Sequence, residues 1–119
     1  MRHKVGKRKL GLRTEQRMAL LKGLVRSMVR YDRIDTTVTR AKEVQPLVEK
    51  MITLTRDTNG IAARRHAFRT LQDETLVKKL FDEVGPRFTD KNGGYTRITR
   101  IGVRRGDAVT VARLEYADE

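Results

Sequence analysis

The sequence predicts an α+β domain, with about four helices packed on a small mixed sheet made of one strand plus a C-terminal hairpin, behind a disordered basic N-terminal arm. Three observations predict it. Apolar residues recur at helical spacing in four stretches between residues 14 and 88. A β-branched run at 33–39 alternates like a half-buried strand, and two β-rich runs flank a Gly-bounded turn near the C-terminus. The first 13 residues carry six cations and no acid. The boundaries follow as a basic arm over 1–13 and a single domain over 14–119.

The arm, "MRHKVGKRKLGLR", supplies half of the formal net charge of +12 through Arg2, Lys4, Lys7, Arg8, Lys9 and Arg13. Val5, Leu10 and Leu12 are too few apolar anchors to offset the entropy of ordering, so the arm alone is predicted to be disordered and to gain order on a partner. Gly6 and Gly11 interrupt any helix, and the segment lacks Ser and an apolar face, which argues against a transit peptide.

Thr14 is the expected N-cap of a helix over about 15–30, with Met18, Leu21, Leu24, Val25, Met28 and Val29 on its apolar arc. That arc spans about 140°, and Lys22, Arg26 and Arg30 step by about 40° each along its flank. "RIDTTVT" (33–39) is the strand, with Ile34, Thr36 and Val38 opposing Asp35 and Thr37. The second helix places Ala41, Val44, Val48, Met51 and Ile52 on one side, and Pro46 is expected to kink it because the register continues unchanged. "RDTNG" (56–60) is a turn before a shorter third helix with Ile61, Ala67, Phe68 and Leu71 inward and Arg64, Arg65 and Arg69 outward. Asp73 caps a fourth helix whose core is Leu76, Val77, Leu80, Phe81 and Val84, with Gly85 and Pro86 as its stop. The hairpin turns at 102–107, and simple alternation sends Arg97 and Arg100 to opposite faces unless a bulge aligns them.

Composition bounds the function. With 27 Lys plus Arg against 15 Asp plus Glu, the expected partner is polyanionic, because basic patches gain free energy by releasing condensed counterions. There is no Cys, and His3 and His66 lie in no metal-ligand spacing, so no metal site, cofactor or catalytic group is expected. The adjacent carboxylates Asp73-Glu74 and Asp82-Glu83 fall at helix ends, where capping and solvation account for them. "NGGYTR" lacks phosphate-loop spacing, although Gly93-Gly94 could admit a phosphate, Tyr95 could stack on a base and Arg97 could meet a phosphate. Phe68 and Phe81 are expected in the core. Without paired stacking motifs, binding would rest on phosphates and shape, which suits structured RNA. A DNA-architectural protein is the alternative, disfavoured because the hairpin tip shows no apolar wedge. An RNA-processing enzyme would need a metal or general-base cluster, and a membrane-surface role would need the apolar arc that the core requires.

"MRH" with "GKRKLG", then "RIDTTVTRAKEVQPLVEKMITL", "VKKLFDEVGPRF" and "GGYTRITRIGVRRGD", in that order along nearly the whole chain, resemble the family of the seventeenth protein of the bacterial large ribosomal subunit. The resemblance implies a non-enzymatic structural protein that binds large-subunit ribosomal RNA near the exit of the peptide tunnel, beside other ribosomal proteins, in the cytoplasm. It implies RNA contacts by Arg2, His3, Lys4, Lys7, Arg8, Lys9, Arg13, Tyr95, Arg97, Arg104 and Arg105, whereas Lys22, Arg26 and Arg30 are candidates from helix geometry alone. Two departures stand out: the junction "KLGLRT" is one residue longer than the family's usual pattern, and the ending "EYADE" is acidic.

Overall fold

A computed structural model of the chain describes residues 13–56 and 60–117. The arm through residue 12, with its expected disorder, lies outside the described residues, as does most of the 56–60 turn.

Helix α1 (Thr14–Tyr31) buries Leu21, Val25, Met28 and Val29, the expected face, while Met18 in its first turns stays exposed. Arg13 occupies the N-cap position with no side-chain cap bond, so Thr14 is the first helical residue rather than the cap. The helix ends at Asp32, whose φ of 67° is left-handed and whose N–H donates to the Met28 carbonyl at 2.9 Å. Short polar residues tolerate that conformation better than branched ones. The Asp32 side chain then ties distant segments together. Its Oδ1 is buried without a well-aligned hydrogen bond and is compensated by the Lys79 ammonium at 3.2 Å, while Arg87 lies 3.5 Å from Oδ2.

Strand β1 (Arg33–Thr37) is two residues shorter than the alternation suggested. Thr37 is the reason: its side-chain oxygen accepts a hydrogen bond from the Arg40 N–H at 3.3 Å, capping α2 (Val38–Leu54) and recruiting Val38 into the helix. Helix α2 buries Ala41, Val44, Val48, Met51 and Ile52, the face read from the sequence, and is continuous through Pro46. Pro46 is exposed, so the carbonyl it leaves without an intrahelical donor can bond to water.

Helix α3 (Gly60–Leu71) buries only Ala63, Ala67 and Leu71. Ile61 and Phe68, expected inward, are 68% and 43% exposed. Helix α4 (Glu74–Lys79) is capped as expected by Asp73, which accepts from the Thr75 N–H at 2.8 Å. Gly85 and Pro86 do not stop the helical path. It widens into a π turn (Leu80–Val84) and tightens into a 3₁₀ turn (Gly85–Phe88) with Gly85 at φ −54°. Gly85 serves close approach instead: a Cβ there would sit 2.6 Å from Thr55 Oγ1.

Strands β2 (Thr96–Val103) and β3 (Thr110–Tyr116) form the hairpin, and β3 is central in the order β1-β3-β2. Both pairings are antiparallel, so the sheet is not mixed. Ile34, Leu114 and Ile98 lie side by side on the core face, and Arg33, Glu115 and Arg97 on the other. A register shift between Arg100 and Gly102 falls after Arg100, so it does not align Arg97 with Arg100. Helix α2 packs against all three strands, and α3 packs on α1, α2 and α4.

The rings of Phe88, Tyr95 and Tyr116 close the core, with Phe88 5.3 Å from Tyr95 and 5.8 Å from Tyr116 between centroids. Gly94, at φ 65°, turns the chain just before Tyr95. The Gly85→Ala variant is expected to lose about 1–3 kcal/mol by overpacking against Thr55. Urea unfolding measures it, and wild-type stability would show that the two segments do not touch.

Candidate nucleic-acid interface

Hairpin residues 99–108 are all exposed, so this end of β2 and β3 projects past the helices. It carries Arg100, Arg104 and Arg105. Arg104 pairs with Asp107 across the turn, and the Arg104 N–H donates to the Val109 carbonyl at 2.8 Å. That pairing holds the Asp107 carboxyl below its ordinary value, chiefly through the Arg104 hydrogen bond and then the Val109 N–H. Arg105 is exposed with no partner among the described residues. The tip therefore combines one guanidinium fixed in place and others that point to solvent.

Two further features of this end were not read from the sequence. Arg100 pairs with buried Ala112, so its parity is that of the core face, yet it lies beyond the covering helices and is exposed. Ile101 and Val103 are exposed just before the turn, Val103 at 67%, so the hairpin does carry an apolar element where none was expected. Alternation alone assigns apolar strand residues to a core. Only the reach of the helices shows where the core ends.

The remaining candidates separate into groups. Arg2, His3, Lys4, Lys7, Arg8 and Lys9 lie outside the described residues. Arg13 is exposed at the start of α1. Arg97 is exposed but paired with Glu115, Nε to Oε1 at 3.0 Å. The flank of α1 is partly committed to the fold: Arg26 donates to the Thr70 carbonyl at 3.5 Å and to Gln72 Oε1 at 3.4 Å, and Arg30 lies 3.6 Å from Asp73. Lys22 is partly buried. These contacts tie the flank to the α3–α4 connection rather than to the hairpin.

Tyr95 corrects the sequence reading. It is 2% exposed, packs edge-on to Phe88 and donates its N–H to Glu49 Oε1 at 2.9 Å. Its ring is core, and it offers no face to a base. The signal available from sequence was the scarcity of aromatics: a chain with three Phe and three Tyr needs its large rings inside.

The outer face of the sheet is a charge ladder. Arg113 bonds Asp35 through two nitrogens, at 2.8 and 3.2 Å, beside the Arg33, Glu115 and Arg97 row. The described residues contain no group of three or more His, Cys, Asp or Glu able to hold a metal, and no helix among them is long and apolar enough to cross a membrane.

A family model described as Ribosomal protein L17 matches residues 20–117. The chain belongs to the ribosomal protein L17 family. Curated relatives named "Large ribosomal subunit protein bL17" extend the match. The one from Clostridium acetobutylicum is 52% identical, over 92% of this chain and 96% of its own length. The one from Fusobacterium nucleatum is 46% identical over 97% of this chain and 98% of its own, a share that reaches into the basic opening. The one from a Thermoanaerobacter species is 49% identical over 93% and 98%. Membership in the L17 family makes the chain a non-enzymatic structural protein of the ribosome, a cytoplasmic particle.

Arg113 holds the Asp35 carboxyl below its ordinary 3.8, first by hydrogen bonding and, against a smaller opposing effect of burial, by charge, with Arg33 adding to it. A depressed folded-state value means that the pair's contribution is present above about pH 4 and is lost as pH falls through the lowered value. Arg113→Gln is expected to raise the Asp35 midpoint toward 3.8 in a carboxyl NMR titration. A midpoint that stays low would assign the shift to another group.

Proposed function

We propose that this chain is a structural constituent of the large ribosomal subunit that binds its ribosomal RNA through the basic opening and the hairpin end, near the exit of the peptide tunnel. Neighbouring ribosomal proteins are its other partners, and neither a membrane nor a small molecule is needed. One observation supports this most directly. Asp32, Asp35, Asp73, Asp82, Asp107 and Glu115 are each held by a cation of the same chain, while Arg100 and Arg105 at the hairpin end are exposed with no acid paired to them among the described residues. These six acids are engaged within the chain, while Arg100 and Arg105 remain open to a polyanion.

A projecting hairpin with fixed and free guanidiniums suits a surface of phosphates and sugars, because such contacts set register without reading individual bases. Structured RNA presents that surface along its shallow minor groove. The arm, with six cations in 13 residues, adds charge that can follow the RNA into folded regions. The exposed Ile101 and Val103 favour a second reading, DNA bent by an apolar wedge beside basic residues. Membership in a ribosomal family weighs against it.

Equilibrium binding to large-subunit ribosomal RNA, with excess random duplex DNA and across salt concentration, tests the proposal. A preference for the ribosomal RNA that survives the competitor is expected, and equal affinity for both would overturn it. Deleting residues 1–13 is expected to reduce the slope of log affinity against log salt by roughly 4–5, at about 0.7–0.9 per phosphate contact. An unchanged slope would remove the arm from the interface.

A further inference from the structure

Helix α3 carries Arg64, Arg65, His66 and Arg69 and no acidic residue. Its core contribution is slight, since only Ala63, Ala67 and Leu71 are buried. At about 100° per residue, Arg64, Phe68, Ile61, Arg65 and Arg69 follow one another from the edge of the buried face round to its far side. Two large apolar side chains thus stand in solvent among guanidiniums. Single exposed apolar residues are ordinary, but Phe68 borders an open groove of about 430 Å³ between α3 and α4, lined by Arg64, Arg65, Phe68, Glu74 and Val77.

The groove has distinct chemical parts. Arg64 forms a fixed wall: it lies 3.1 Å from Asp82 and its guanidinium stands 4.8 Å above the Phe81 ring. Phe68, 43% exposed, gives an aromatic face, and Val77 gives an apolar floor. Glu74 supplies an acceptor at the rim. Arg65 and Arg69, exposed on the next turn of surface, have no acidic partner among the described residues. A flat ring with amino donors, attached to a chain of phosphates, fits that set. The ring stacks on Phe68, an exocyclic amine donates to Glu74, and the phosphates meet Arg65 and Arg69.

We propose that the α3–α4 groove is a second RNA site, which holds one unstacked nucleotide base on Phe68 with its flanking phosphates on Arg65 and Arg69. This inference rests on the reading of the chain as an RNA-binding protein. It extends that reading because α3 packs on the other helices, whereas the hairpin belongs to the sheet. Two separate contacts would let one small domain clamp two RNA segments together.

The test uses the full chain and large-subunit ribosomal RNA. Phe68→Leu keeps an apolar side chain but removes the π-face, and it is expected to weaken binding by roughly tenfold with an unchanged salt slope. Arg65→Gln combined with Arg69→Gln is expected to lower the salt slope by roughly 1.4–1.8, for two phosphates. Ultraviolet crosslinking of the assembled subunit is expected to join Phe68 to a nucleotide. All three positions are exposed, and a thermal melt confirms folding of each variant. Wild-type affinity and slope in both variants, while Arg104→Gln with Arg105→Gln still weakens binding, would overturn the α3 site and leave the hairpin reading intact. A crosslink from Phe68 to a protein would also overturn it, by assigning the groove to a neighbouring polypeptide.

Discussion

Three rings, Phe88, Tyr95 and Tyr116, meet where the helical layer passes the chain to the sheet, and the rest of the fold hangs on that meeting. Phe88 ends the helical segment, Tyr95 precedes β2 and Tyr116 ends β3. The Tyr116 hydroxyl donates to the Met28 carbonyl of α1 at 3.3 Å, and the Tyr95 N–H is held by Glu49 of α2. Gln45 of α2 adds a bond to Thr96 Oγ1 at 3.1 Å, which satisfies a buried hydroxyl at the start of β2. The cluster joins both long helices to two strands. A chain with 38% hydrophobic residues has little apolar area to distribute, so concentrating its largest rings at this junction gives the most burial for the fewest residues.

Charge is organised around that core by the same economy. Helix ends and strand pairs supply fixed positions for several carboxylates, and Asp32, Asp35, Asp73 and Glu115 each orient a cation there. Asp32 at the left-handed end of α1 draws in Lys79 and Arg87, and Lys79 also donates to the Arg30 carbonyl at 2.7 Å, one of the last turn of α1. Arg56 works without a carboxylate: it donates to the Phe88 and Thr89 carbonyls at 3.2 and 2.8 Å and so ties the end of α2 to the 3₁₀ turn. Exposed pairs of this kind contribute little stability individually. Their larger effect is to decide which cations are held against the fold and which extend into solvent.

The fold was legible where burial follows local periodicity. All five apolar positions of α2, the Asp73 cap and the hairpin could be read directly, because period, cap chemistry and turn residues are local properties. Failures arose where a tertiary neighbour decides. Gly85 looks like a helix stop, but only Thr55, thirty residues earlier, explains why no side chain fits there. Val38 continues the strand alternation, yet the Thr37 cap claims it for α2. Phe68 and Ile61 look like core residues of α3 because the sequence does not show that Ala63, Ala67 and Leu71 already fill that interface. Tyr95 reads equally well as a stacking platform or a core ring, and it was settled only by the packing of Phe88 against it. The cations of the candidate site were visible as a composition. Their division into paired and unpaired members was not, since pairing such as Asp35 with Arg113 spans most of the chain.

This division bears on how a protein of the ribosomal L17 family can be both stable alone and ready for a polyanion. If every cation were paired internally, RNA would have to break those pairs, and each breakage would oppose binding. If none were paired, self-repulsion would weaken the folded chain. Here most of the paired carboxylates lie at helix ends and on the outer sheet face, and although Asp107 and Asp82 each engage one arginine, the hairpin end and the exposed side of α3 still carry Arg100, Arg105, Arg65 and Arg69 with no acidic partner among the described residues. Those two surfaces lie on elements with different supports, one on the β3 ladder and one on the helical layer. A polyanion on either surface would meet guanidiniums that no internal acid has to release, while ordering their free side chains would still cost entropy. Exposed cations thus divide into those paired within the fold, such as Arg97 with Glu115 and Arg64 with Asp82, and those with no acid among the described residues, such as Arg65, Arg69, Arg100 and Arg105.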